Sequence, residues 1–69
     1  MTTKDEQRAE AIKEAREQIA KEVDFVDLKP YSHNIISMTL MILAEKVGNS
    51  AANDLIDEFD LESLGWEKQ

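Results

Sequence analysis

The chain contains no cysteine, one proline, two glycines and a single histidine. Without cysteine it can form neither a disulfide nor a thiolate zinc site, and one histidine cannot build a histidine metal cage within one chain. Long apolar runs are missing as well. The most apolar stretch, His33 to Val47, has nine apolar residues among fifteen. As a helix it spans about 22 Å, too short and too interrupted to cross a bilayer. Nor is there an excess of positive charge: eight Lys and Arg stand against fifteen Asp and Glu, a net charge of −7. Such a surface repels phosphate backbones, so nucleic acid is not an expected ligand and a membrane is not an expected site. The N-terminus alternates charges where a signal peptide would carry its apolar core. A cytoplasmic location is the resulting expectation. No catalytic, nucleotide or metal motif stands out, so no cofactor and no metal are expected.

Sixty-nine residues make one domain, 1–69, and a small one. Ordering them costs on the order of 100 kcal/mol of conformational entropy. Chains of this size usually need a staple, and with disulfides and metals set aside the remaining staple is oligomerisation. The charge is uneven. Residues 1–22 carry five basic and six acidic side chains, whereas residues 45–69 carry two basic and seven acidic.

No stretch alternates with period 2, and the expected fold is all-α: three helices plus a short C-terminal turn, at about 3–26, 32–47, 50–59 and 60–64. In the first helix Thr3 and Glu6 have capping-box spacing, and Ile12, Ala15, Ile19, Val23 and Val26 form the apolar stripe. Residues 1–8 lack apolar cover and are expected to be exposed, frayed or engaged with a partner. Three opposite-charge pairs, Asp5/Arg8, Glu10/Lys13 and Glu17/Lys21, have i+3 or i+4 spacing. Pro30 forces a break before the second helix, with Ser32 as its N-cap and Tyr31 stapled to Ile36. Gly48 suits the end of that helix. Ser50 caps a third helix carrying Ala52, Leu55, Ile56 and Phe59. Asp60 caps the last turn, stapled by Phe59 and Leu64 and closed by Gly65, with Trp66 packing back.

The central helix carries two apolar stripes. Ile36, Leu40, Leu43 and Val47 form one; Ile35, Met38 and Ile42, with Met41 beside them, form the other on roughly the opposite side. A helix apolar on both sides is buried on both sides. One long and one short helix cover only one stripe, so the second marks Ile35, Met38, Met41 and Ile42 as the self-association surface of a homodimer.

Three further groups qualify as sites. Tyr31, Ser32, His33 and Asn34 place a Ser and a His at a helix start, where anions bind and acid–base groups are useful. Adjacent residues there point apart, and capping accounts for the group more simply. Asp54, Asp57, Glu58, Asp60 and Glu62 form an acidic cluster with no Ca²⁺-loop pattern; its interaction use is to meet a basic protein partner. Ala44 to Leu55 resembles a helix-turn-helix in its Ala-to-Gly spacing, but Asp54 and Asp57 fall where apolar residues belong. That second helix also lacks the Lys and Arg that DNA recognition needs.

The leading expectation is a small acidic, non-enzymatic protein acting through protein–protein interaction as a homo-oligomer. The alternative is a regulatory inhibitor, antitoxin-like protein or nucleic-acid mimic using the acidic C-terminal third. Nucleic-acid binding by Lys4, Arg8, Lys13, Arg16 and Lys21 ranks lower, because glutamates interrupt the basic face. An enzyme centred on His33 ranks last.

Overall fold

The computed structural model describes residues 3–69, so Met1 and Thr2, and that part of the fraying expected over residues 1–8, lie outside the described residues. Three α-helices account for the fold: α1 (Lys4–Glu22), α2 (Pro30–Lys46) and α3 (Asn49–Glu58). Two short 3-10 turns, Val23–Phe25 and Leu61–Leu64, complete it, and there is no strand among the described residues. The chain is all-α, as its periodicity implies.

At the start of α1, the Thr3 side chain accepts a hydrogen bond from the Glu6 N–H at 3.1 Å, the capping interaction read from the spacing. Thr3 through Glu10 are exposed, and burial begins at Ala11 and Ile12. Ala15 and Ile19 then reach the core, with Ile12, Val23 and Val26 packed at its edge. The helix ends at Glu22 instead of continuing to Val26. Val23, Asp24 and Phe25 are poor helix formers, and here the ladder tightens into a 3-10 turn. The N–H groups of Leu28 and Lys29 both donate to the Phe25 carbonyl, at 3.0 and 2.8 Å, which reverses the chain.

The start of α2 departs from the expected Ser32 cap. Pro30 is the first helical residue and Lys29 the cap position. The fixed φ of proline suits that first position, and its missing N–H removes nothing there. Ser32 therefore lies inside the first turn, fully buried, and its Oγ donates to Glu22 Oε2 at 2.7 Å. Tyr31 is exposed and staples nothing. The second helix then buries Ile36, Leu40 and Leu43 against α1 and α3.

Gly48 turns α2 into α3 with φ 134°, a conformation that other residues adopt only under strain. The Val47 N–H donates to the Leu43 carbonyl at 2.8 Å. The turn is so short that α3 begins at Asn49, with Gly48 as its cap residue, and Ser50 sits exposed in the first turn instead of capping it. Ala51, Ala52, Leu55 and Ile56 are buried. Asp60 adopts a left-handed φ of 50°, and its carbonyl, not its side chain, accepts from the Ser63 N–H and Oγ. The last turn is accordingly 3-10 over Leu61–Leu64, with Leu61 fully buried and Leu64 at the core edge. Gly65, at φ 113°, closes it.

The buried core is small. Among the described residues it holds ten apolar side chains, three of them alanines. Among the described residues, seven large buried side chains must then hold the fold, while six large apolar ones are exposed.

Candidate functional site

α2 is the middle element: one face builds the core and the opposite face is open to solvent. On that open face Tyr31, Met38 and Met41 are each 56% exposed and Ile42 is 42% exposed. Ile35 is half-buried beside them. These are the residues of the second stripe, joined by Tyr31, which hydrophobic-staple spacing alone places against Ile36. Phe25 and Leu28, in the reversal before α2, are also exposed. Lys29 lies over this end, with Nζ 4.6 Å from the centre of the Phe25 ring and 5.9 Å from that of Tyr31. Its ammonium thus sits over two aromatic faces at an exposed position, a favourable cation–π placement. The signal for Tyr31 was present in its spacing: Tyr31, Ile35, Met38 and Ile42 recur at intervals of four, three and four residues, a coiled-coil seam.

The polar tetrapeptide is dispersed, not gathered. Ser32 points inward to Glu22. Tyr31 lies toward Lys29, and Asn34 is exposed. His33 stacks on Trp66 from the C-terminal segment, ring centroids 4.2 Å apart and planes 21° from parallel. Trp66 also donates from Nε1 to Ser37 Oγ at 3.0 Å. The Ser32 hydroxyl thus donates to Glu22 and the face of the His33 ring packs on the indole. No hydrogen bond joins the two side chains among the described residues as a nucleophile–base pair would.

The acidic cluster is partly neutralised from within the chain. Arg16 Nε on α1 donates to Glu58 Oε1 at 3.1 Å and to Oε2 at 2.9 Å. Lys68 pairs with Asp57 and lies 3.7 Å from Glu62. The hydrogen bond to Asp57 holds the Lys68 pKa above its ordinary 10.5, and partial desolvation opposes this. Asp54 and Asp60 are exposed. Glu58 and Asp57 thus turn to opposite partners, and no group of three acidic or histidine side chains among the described residues is arranged to hold a metal ion. The pairs expected along α1 are not closed; the ion pairs among the described residues all reach the C-terminal third.

The C-terminal segment is tied down further. Asn53 donates from Nδ2 to the Gln69 carbonyl and accepts from the Gln69 N–H, both at 3.0 Å. With Trp66 it borders a groove of about 410 Å³ between α2 and α3, lined by Leu40, Met41, Ala44 and Ile56. The exposed positions of α3 are Asn49, Ser50, Asp54, Asp57 and Glu58, so it presents no cation to DNA. No helix among the described residues is long and apolar enough to cross a membrane. Comparison with protein-family models, with curated proteins and with solved structures returns no match to this chain.

Proposed function

We propose that this protein is non-enzymatic, that it self-associates as a homodimer, and that it acts through protein–protein contact with the outer face of α2 as its binding surface. The observation that carries this is the exposure of Met38, Met41 and Ile42 on the helix whose other face is the core. Scattered exposed apolar residues are normal on any protein, but a contiguous patch marks an interaction surface. The small core adds to the case. Seven large buried side chains leave a chain of this length near the limit of independent stability. Burying the outer stripe against another copy supplies the missing apolar contact without a cysteine or a metal. The engaged state of Ser32 and His33 favours a structural role for the polar tetrapeptide over acid–base chemistry.

Multi-angle light scattering or sedimentation at micromolar concentration tests the proposal. A dimer is the expected species, and Met38→Glu, which sets a carboxylate in the middle of the stripe, shifts it to monomer. A well-folded chain that stays strictly monomeric across that concentration range overturns the proposal.

A further inference from the structure

Given self-association through α2, we infer that the two copies pair antiparallel, in the one register that sets Ile35 against Met38 and Tyr31 against Ile42 of the second copy. The inference rests on the proposed function for its surface and adds the occupant's orientation. The seam on α2 runs Tyr31, Ile35, Met38, Ile42, at intervals of four, three and four residues, with Lys29 just before it and Glu45 just after it. A 3.5-residue repeat keeps one line of side chains facing a partner helix along its length. The seam has unlike ends. Lys29, lying over the Phe25 and Tyr31 rings, marks one end, and the exposed carboxylate of Glu45 marks the other.

A parallel pair stacks Glu45 on its own copy and Lys29 on its own copy, and it aligns the two helix dipoles. The antiparallel pair brings each Lys29 to the Glu45 of the other chain. It also places the positive end of each α2 near the negative end of its mate. Register follows from the same residues. Pairing Ile35 with Met38 of the second copy also pairs Tyr31 with Ile42 and leaves Glu45 at the rim beside Leu28. A shift of one heptad toward the C-terminus sets Glu45 against Ile35, a carboxylate against an apolar side chain. A shift the other way leaves Met38 and Ile42 uncovered. Met41 flanks the seam and closes against the region of Asn34. Covering these exposed side chains, with their polar rim, removes on the order of 600 Å² per protomer from water, the scale of the smaller specific interfaces.

The absence of native cysteine makes the test direct. Lys29→Cys and Glu45→Cys each place one thiol at an exposed position outside the apolar seam. Both variants are first checked for dimerisation by light scattering, then treated with a short bis-maleimide, separately and as an equimolar mixture. In the antiparallel register the two positions meet, whereas each lies about 24 Å from its own counterpart, sixteen residues along the helix. The expected result is crosslinked dimer in the mixture and little in either variant alone, with Asp54→Cys as the collision control. Crosslinking of each variant with itself, matching the mixture, establishes a parallel pair and overturns the inference. Dimers that crosslink in no combination overturn it too, while leaving self-association standing. Monomers throughout overturn both.

Discussion

Ser32→Ala separates two accounts of the start of α2. In the structure Ser32 is not a cap: it is fully buried and its Oγ donates to Glu22 Oε2 at 2.7 Å, across the chain reversal. A hydrogen bond to a charged group contributes about 1.5–3 kcal/mol. Glu22 is only half-buried, so water restores part of the lost bond, and the expected loss lies near 1.5 kcal/mol. That corresponds to a drop in Tm of roughly 6–12 °C for a domain of this size. A capping serine would cost about 1 kcal/mol on the same substitution, so the single variant does not discriminate. The double-mutant cycle does. Glu22→Ala and Ser32→Ala, alone and together, are compared by urea denaturation followed by far-UV circular dichroism. Protomer concentration is held fixed, because the proposed self-association would make apparent stability concentration-dependent. The expected coupling is about 1 kcal/mol or more between the two positions. Additivity within about 0.3 kcal/mol refutes the contact.

Ile36→Ala, at a fully buried position facing both α1 and α3, removes about 2–5 kcal/mol. Against the roughly 3–10 kcal/mol available to a chain of this length, thermal melts are expected to show a largely unfolded protein near 37 °C. Arg16→Ala breaks only an exposed pair with Glu58 and changes urea-derived stability by less than about 1 kcal/mol; a larger loss would mean that the pair does more than bridge α1 and α3. Gly65→Ala meets no steric obstacle, but Gly65 stands at φ 113°, so melting is expected to show a loss of roughly 1 kcal/mol or more.

The helices themselves were legible because their signals are local. Thr3 and Glu6 cap α1 across one turn, and the stripes through Ile19, Ile36, Leu43 and Leu55 needed only the helical period. The errors fall where a residue's partner is distant. Ser32 has the composition of a cap, and nothing nearby in sequence reveals that Glu22 reaches it across the reversal. With Ser32 satisfied elsewhere, Pro30 becomes the first residue of the helix, an alternative use of the same proline. The same limit hides the pairing of Arg16 with Glu58, forty-two residues apart, and the stack of His33 on Trp66. Both change what a candidate site can do: the acidic cluster loses part of its charge to Arg16 and Lys68, and the histidine is packed against an indole. The outer stripe of α2 was legible both as a pattern and as a face that one long and one short helix leave uncovered, and Met38, Met41 and Ile42 are exposed. The half-burial of Ile35 was not legible, because it depends on how closely the neighbouring elements wrap around the helix.

We propose above all that α2 completes its burial against a second copy. Sedimentation equilibrium across a micromolar concentration series, run on the native chain and on Met38→Glu, tests it most directly. A reversible monomer–dimer equilibrium is expected for the native chain, and a collapse of the dimer fraction, with loss of helicity, for the variant. Two folded monomers with indistinguishable profiles would contradict it.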